Sequence, residues 1–293
     1  MQQLPRQRVR VLSLTWVAMA AFAGNSILCR LALQRTSIDP VTFATIRLVA
    51  GAAMLSCILA FKGQRPRGDW SSALALFIYA AGFSMAYVGL PAGTGALLLF
   101  GAVQVTMLGH GLRVGERLNA WQWSGLLLAA AGLAALLWPW QSSRTPDAIP
   151  TSSALLMLAA GAAWGVYSLR GRGSRHPTSA TAGNFLRTVP MALIALAWIH
   201  PRHVDRDGVL YAIASGALAS GVGYAIWYSV LPALSAMTAG IVQLSVPILA
   251  AFAGVLLLGE TVTLPLLVVS MAVIGGVLLV LLKASPSARA PPK

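Results

Sequence analysis

Two arginines lie within long apolar runs, where a cation is costly and therefore serves a purpose. Arg47 and Arg187 each fall several residues inside such a run. A guanidinium at the centre of a bilayer costs roughly 2.5–3.5 kcal/mol on insertion scales. At a depth of about 10 Å, the side chain can also snorkel toward the interface. Two purposes stay open: tying helix ends or carbonyl groups together, or holding the carboxylate of an anionic or zwitterionic solute.

Aromatic and amide side chains interrupt the apolar runs at helical spacing. Such stripes are also typical of ordinary packing, and Tyr87 and Tyr228, toward the ends of their runs, are expected to anchor at the membrane interface. Aromatic faces suit apolar and stacking contacts with neutral or zwitterionic solutes. The candidates for lining a substrate cavity are Asn25, Tyr79, Phe83, Trp164, Tyr167, Asn184, Tyr224, Trp227 and Gln243.

All seven acidic residues fall in predicted loops or at predicted helix ends. No carboxylate therefore lies at a helix centre, where a proton relay or the partner of a cationic substrate would be expected. Glu116 and Glu260 are predicted to satisfy helix ends, with a direct part in coupling as the alternative. Pro190 and Pro247, inside apolar runs, are hinge candidates or simple kinks.

Motifs for catalysis or metal binding are absent from the sequence. It has no His-Glu-x-x-His, no metal-spaced cysteine pair, no Gly-x-Ser-x-Gly elbow and no Walker loop. We therefore predict no catalytic residue, no metal and no cofactor, and a chain that is not an enzyme.

Composition places the chain in a bilayer. Charged residues make up 10% of it, apolar residues 57%, and the mean hydropathy is +0.75. About 20 apolar residues cross the hydrocarbon core, and ten such segments can be counted between residues 11 and 282. The fold class predicted is an all-α integral membrane protein with ten transmembrane helices.

The basic residues are distributed unequally between the two sides of this topology. With the amino terminus in the cytoplasm, fourteen of the 21 lysines and arginines face inward and five outward. Positive charge marks the cytoplasmic side, so both termini are predicted there. The net charge of +14 then reflects orientation and contact with anionic membrane lipid, not nucleic acid.

The chain contains two related halves. Arg30, Arg35 and Arg47 recur 140 residues later, and Gly115-Glu116 recurs 144 residues later as Gly259-Glu260. Five segments per half is an odd number, so the second half enters the membrane inverted, as in many transporters. The predicted units are a first repeat (1–140), a linker (141–151), an inverted second repeat (152–283) and a disordered cytoplasmic tail (284–293).

The chain resembles the drug/metabolite transporter superfamily, EamA-type branch, over nearly its whole length. The features that carry the resemblance are these arginines, the Gly-Glu turns and the two inverted groups of five apolar segments. The first turn reads Arg113-Val-Gly-Glu, and the family pattern has an apolar residue at the position of Arg113. The resemblance implies a secondary transporter of the inner membrane that exports small metabolites by alternating access. It further suggests amino acids, aromatic ones included, as substrates. A monomer is sufficient for this activity, and the oligomeric state stays open.

Three alternatives remain at this point. A nucleotide-sugar or organic-phosphate exchanger would want several basic groups converging on the cavity, and only Arg47 and Arg187 are available. An intramembrane enzyme and a non-transporting membrane sensor belong to different classes of protein. Uptake by the purified protein into proteoliposomes would separate transport from both.

Overall fold

The computed structural model describes residues 3–115, 119–137, 150–171, 174–199, 204–234 and 242–282. Each of the ten apolar segments contains one helix in this part of the chain. Glu116, the linker as far as residue 149 and the tail lie outside the described residues. The helices are α1 (Gln3–Arg35), α2 (Pro40–Phe61), α3 (Trp70–Ala86), α4 (Ala92–Arg113), α5 (Ala120–Leu137), α6 (Thr151–Gly171), α7 (Pro177–Ile199), α8 (Arg206–Val230), α9 (Ser245–Leu258) and α10 (Leu264–Leu282).

Six of the described helices are long and apolar enough to cross a bilayer: α1, α2, α4, α6, α7 and α8. Helix α3, with 17 residues, and helix α9 are apolar but shorter, as is the stretch Leu267–Gly276 of α10. The prediction of an all-helical chain is confirmed for the described residues, which contain no strand. The crossing of the bilayer by all ten helices stays a prediction.

At the amino-terminal ends of several helices, side chains accept hydrogen bonds from the first backbone N–H groups. The Asp39 carboxylate accepts hydrogen bonds from the backbone N–H groups of Val41 and Thr42, at 3.0 and 2.9 Å, and so caps α2. At α5, Asn119 and Gln122 each accept from the other's backbone N–H at 2.9 Å. This reciprocal pair is a capping box, whose sequence signature is an asparagine followed three residues later by a glutamine.

The repeated glycines of the two Gly-Glu turns share a left-handed backbone. Gly115 follows α4 with φ +91°, and Gly259 follows α9 with φ +69°. Glycine adopts this conformation without the clash that a Cβ atom causes, which explains why both turns have it.

The contacts between helices follow a two-fold pattern. Helix α1 packs on α8 and α9, and its counterpart α6 packs on α3 and α4. Likewise α2 contacts α8 while α7 contacts α3, and the pairs α2–α7, α4–α9 and α5–α10 bring equivalent helices together. Each of these contacts made by a helix of the first repeat (α1–α5) thus has a counterpart made by the equivalent helix of the second repeat (α6–α10). The two repeats therefore use the same surfaces against each other.

Helices α2 and α8 approach closely beside the centre of the bundle. Gly216 lies against the backbone carbonyl of Arg47, where a Cβ atom would clash. It belongs to a stretch of π-helix, Ala214–Val222, in the middle of α8. Such stretches are rare in proteins as a whole, but those that occur are often found at functional sites. The extra residue in the turn redirects the side chains that follow.

Candidate functional site

A cluster of aromatic side chains from both repeats surrounds a small central cavity. The cavity has a volume of about 20 Å³, which is room for one water molecule. Five of the predicted residues line it: Asn25, Tyr79, Phe83, Trp164 and Tyr224. The remaining lining residues are Phe22, Ser26, Leu99, Phe100, Ala219 and Ser220.

Trp164 is the centre of the aromatic cluster. Its ring stacks on Tyr167 and on Tyr224, with centroid distances of 5.3 and 5.2 Å and interplanar angles of 28° and 27°. Tyr79 lies 4.8 Å from it at a tilt of 44°. Offset and tilted rings at these distances attract one another. The aromatic faces of α3, α6 and α8 thus meet as one surface.

A short chain of polar groups runs along one wall of the cavity. The Ser215 hydroxyl donates to Asn25 Oδ1 at 2.6 Å, and Asn25 Nδ2 donates to the Tyr79 hydroxyl at 3.5 Å. Ser220, also on the π-helical stretch of α8, has a buried hydroxyl that finds no hydrogen-bond partner among the described residues. These oxygens and the amide can bond a polar solute that enters.

Arg47 stands directly behind this wall. It is only 2% exposed, so it does not snorkel to the interface. Its Nη2 donates to the Tyr79 hydroxyl at 3.1 Å, and its guanidinium carbon lies 5.3 and 4.7 Å from the ring centroids of Tyr79 and Phe83. Its Nη1 is buried and has no hydrogen-bond partner in the part of the chain that the structure describes. A buried donor left unpaired is costly, which makes this atom a candidate for binding a solute anion.

Arg187, the repeat counterpart of Arg47, has a different environment. It is half-buried, its Nη1 donates to the carbonyl of Gly183 at 2.9 Å, and its guanidinium carbon lies 5.9 Å from the Trp70 ring centroid. Of the two purposes left open by the sequence, the tie to a carbonyl is found for Arg187, whereas the hydrogen bond described for Arg47 goes to the Tyr79 hydroxyl. The two arginines therefore differ in environment, although they are equivalent in sequence.

The other predicted residues lie around the cavity without lining it. Tyr167 and Asn184 form a second group, in which Asn184 Nδ2 donates to the Tyr167 hydroxyl at 3.5 Å. Trp227 packs edge-on against Phe22, with centroids 6.1 Å apart. Gln243 is half-buried just before α9, Pro247 is buried within α9 and Pro190 is exposed on α7. Helix α7 continues through Pro190, whereas Pro247 lies in the first turn of α9, after a turn at Leu244. A hinge at either proline stays a prediction.

Some residues of the site were not predicted. Phe22 lies one turn before Asn25 on α1, so the helical period could have revealed it. Ser215 gives no such signal, because it sits in a run of small residues on the π-helical stretch. Tyr87 also corrects an expectation: it is fully buried, its hydroxyl donates to the carbonyl of Ala92, and it is not an interfacial anchor.

Side chains tie the bundle together at one end, which we call the Glu260 end. Both carboxylate oxygens of Glu260 accept from the backbone N–H of Ala92, at 3.0 and 2.8 Å, at the start of α4. Arg30 Nε lies 3.3 Å from Glu260 Oε1, and Arg30 Nη1 donates to the carbonyls of Tyr87 and Val88. Burial raises the pKa of Glu260, although the N–H of Ala92 and the charge of Arg30 oppose the rise.

A second set of ties closes the opposite end of α3, which we call the Asp69 end. Arg170 Nη2 donates to Asp69 Oδ1 and Arg170 Nε to the Ser72 hydroxyl, both at 2.9 Å. Asn184 Oδ1 accepts from the Asp69 N–H at 3.0 Å. Burial opposes ionisation of Asp69, but the hydrogen bonds from Ser72 and Arg170 outweigh it and lower the pKa. Each end of the bundle is thus tied by an arginine paired with a carboxylate.

Comparison with known proteins identifies the family. The model of the EamA-like transporter family matches residues 10–138 and again residues 151–282, once for each repeat. The chain belongs to the EamA-like transporter family. Members of this family are membrane transporters, not enzymes, and the apolar helices agree with a multi-pass membrane protein. The drug/metabolite transporter resemblance seen in the sequence is thereby confirmed.

Two similar proteins extend this comparison. A Pseudomonas aeruginosa protein described as uncharacterized protein PA1977 is 53% identical over 277 residues, which cover 93% of this EamA-like chain and 94% of that protein. A protein of known crystal structure superposes with a TM-score of 0.67 at 18% identity, covering 94% of this chain and 98% of the other. At that identity the likeness concerns the fold alone.

Proposed function

We propose that this EamA-like protein is a secondary transporter whose central aromatic cavity carries small metabolites that combine a carboxylate with an aromatic or apolar body. Amino acids, the aromatic ones above all, are the members of this class expected from the sequence. All ten helices cross the cell inner membrane, both termini are cytoplasmic, and the substrate is exported by alternating access between the repeats.

The observation that carries this proposal is the surface formed by Trp164, Tyr79 and Tyr224, with the buried donor of Arg47 behind it. Stacked rings offer a substrate an apolar face, and the guanidinium offers its carboxylate a charged donor. Both lie where the two repeats meet, which is where transporters of this architecture place their substrates.

An organic-phosphate exchanger is less well supported. Phosphate groups in proteins are commonly held by several basic side chains. Among the described residues, Arg47 is the one cationic side chain in contact with the rings that line the cavity. A single guanidinium fits a single carboxylate better than a multiply charged phosphate.

Transport by purified protein in proteoliposomes tests the proposal, with labelled phenylalanine as the probe and the common amino acids as competitors. Replacing Trp164 by alanine removes an aromatic contact worth about 0.5–1.5 kcal/mol, so we expect the apparent affinity to fall roughly two- to tenfold. Trp16→Ala is the matched control, because Trp16 is 59% exposed on the outer surface of α1. Equal transport by folded Trp164→Ala, Tyr224→Ala and wild type would show that the rings serve packing alone.

A further inference from the structure

Arg47 brings one positive charge to the central site, and no acidic side chain in the described part of the chain pairs with it. The nearest compensation comes from the rings of Tyr79 and Phe83 and from the Tyr79 hydroxyl. These contacts partly offset the desolvation of the guanidinium, but a ring and a hydroxyl cancel no charge. The empty site therefore carries a net charge of about +1.

Resting on the proposed function, we propose that within its substrate class the central site prefers small organic monoanions with an aromatic body. The zwitterionic aromatic amino acids are then carried with lower affinity, cations of the same shape bind least, and the membrane potential drives export of the monoanions.

The charge selection follows from the electrostatics of a buried site. A monoanion turns the positive site into a neutral pair, which is the least costly charge state in a low-dielectric interior. A zwitterion adds a second cation as well, and Asn25, Ser215 and Ser220 offer it neutral oxygens but no carboxylate. A cationic solute would place two like charges together. Because Coulomb forces act over several ångströms at low dielectric, the selection does not require direct contact with Arg47.

The same charge sets the energetics of transport. When the protein switches between its inward-open and outward-open forms, the site that holds a monoanion is neutral, whereas the empty site is positive. A membrane potential that is negative inside therefore pulls the empty site back toward the cytoplasm and leaves the loaded step unaffected. Each cycle then moves one negative charge outward, and about 60 mV supports a tenfold concentration ratio. Export needs no proton relay in this scheme, which agrees with the absence of a carboxylate from every helix centre in the sequence.

A series of probes with one ring and different charges tests the selection. The purified full-length protein in detergent is titrated with 3-phenylpropanoate, phenylalanine, phenethylamine and 3-phenylpropanol, and binding is followed by tryptophan fluorescence. We expect 3-phenylpropanoate to bind about tenfold or more tightly than phenylalanine, and phenethylamine to bind least. Tighter binding of phenylalanine, or equal binding of all four probes, overturns the inference.

Variants assign the effect to Arg47. In Arg47→Gln the preference for 3-phenylpropanoate over 3-phenylpropanol should disappear, whereas Arg187→Gln, which changes the repeat counterpart outside the cavity, should leave it intact. Arg47→Lys keeps the positive charge, so the four probes should bind to it in the same order of affinity as to the wild type. If Arg47→Gln does not fold, a changed order in Arg47→Lys contradicts the inference. An unchanged preference in folded Arg47→Gln contradicts the inference.

A voltage experiment tests whether the membrane potential drives export. Efflux of 3-phenylpropanoate from proteoliposomes is measured at pH 8 with a potassium gradient and valinomycin, and protein-free liposomes give the passive leak. An interior-negative potential should speed protein-dependent efflux several-fold, and a reversed potential should slow it. Voltage-independent efflux overturns electrogenic export but leaves the proposed function standing. If no probe binds or moves, the proposed function itself fails, and the charge selection with it.

Discussion

Tyr79 carries the hydroxyl on which the polar groups of the cavity wall converge. It accepts from Arg47 Nη2 at 3.1 Å and from Asn25 Nδ2 at 3.5 Å, and Asn25 in turn accepts from Ser215. One oxygen thus joins α1, α2 and α3, and through Ser215 it also reaches α8. The Tyr79 hydroxyl therefore links three helices at the wall of the site.

Replacing Tyr79 by phenylalanine should therefore destabilise the protein. The ring stays, but Arg47 loses its hydrogen bond to the Tyr79 hydroxyl. Both Nη atoms of this buried cation are then without a hydrogen-bond partner among the described residues. We expect the free energy of unfolding in detergent to fall by about 1–3 kcal/mol. Tyr211→Phe is the control, since it makes the same chemical change at a half-buried tyrosine away from the cavity. Equal losses in both variants would show that the Tyr79 hydroxyl has no special role.

The Asp69 carboxylate predicts a loss of stability in acid. Its pKa in the folded chain lies below the usual value of 3.8, so the ionised form is favoured by folding. This contribution is present above pH 3.8 and is lost as the pH falls through the lower folded value. Below pH 4, the melting temperature of Asp69→Asn should therefore fall less steeply than that of the wild type, as measured by scanning fluorimetry. Parallel curves would contradict the assignment.

At the scale of elements, Glu260 joins parts of the chain that are far apart in sequence. It follows α9, yet it accepts the first N–H of α4, 168 residues away, and pairs with Arg30 of α1. The start of α4 has no cap from its own preceding residue, because Pro91 makes no side-chain hydrogen bond. The second repeat thus supplies the cap that the first one lacks.

Glu260→Gln should reduce stability and leave transport per folded molecule near the wild-type rate. Loss of a helix cap costs about 0.5–2 kcal/mol. Burial already disfavours the ionised carboxylate, and glutamine resembles the protonated acid, so we expect the lower end of that range. A well-folded variant that still binds substrate but no longer responds to an imposed proton gradient would instead place Glu260 in a proton relay.

The elements were predictable to different degrees. Apolar runs of bilayer length leave the backbone no alternative to helix, and the capping box at Asn119 is a local pattern, so both follow from the sequence. The distant partner of Glu260 does not, because local pattern contains no information on packing. Ser215 illustrates a further limit: a π-helical stretch shifts the register, so the period of 3.6 residues no longer says which side chains share a face.

The site was predictable in its residue types more than in its geometry. Aromatic stripes identified Tyr79, Trp164 and Tyr224, which the structure brings together. The arginines show why geometry was harder: Arg47 and Arg187 are equivalent in sequence, but only the first is fully buried against aromatic rings. Their environments differ because the side chains that the two repeats bring to the centre differ, although their helix contacts are alike.

At the scale of the whole molecule, the two repeats share their contact surfaces, and the charge bias predicts how they lie in the membrane. Cysteines introduced at Ser143 and Ser174, in a chain lacking Cys29 and Cys57, test this orientation. We expect an impermeant maleimide added to intact cells to label Ser143→Cys and to spare Ser174→Cys until the cells are opened. Labelling of Ser174→Cys alone would reverse the proposed topology.

The small volume of the central cavity has a consequence for every affinity measured on this protein. A space that holds one water molecule admits no metabolite, so binding requires a more open form, and the observed dissociation constant is the intrinsic one divided by the fraction of molecules in that form. We expect loosening of either tied end to raise that fraction. A substitution at Glu260 or Asp69, far from any bound solute, can therefore tighten apparent binding, and a ranking of variants by affinity alone would mistake it for a change in the binding site.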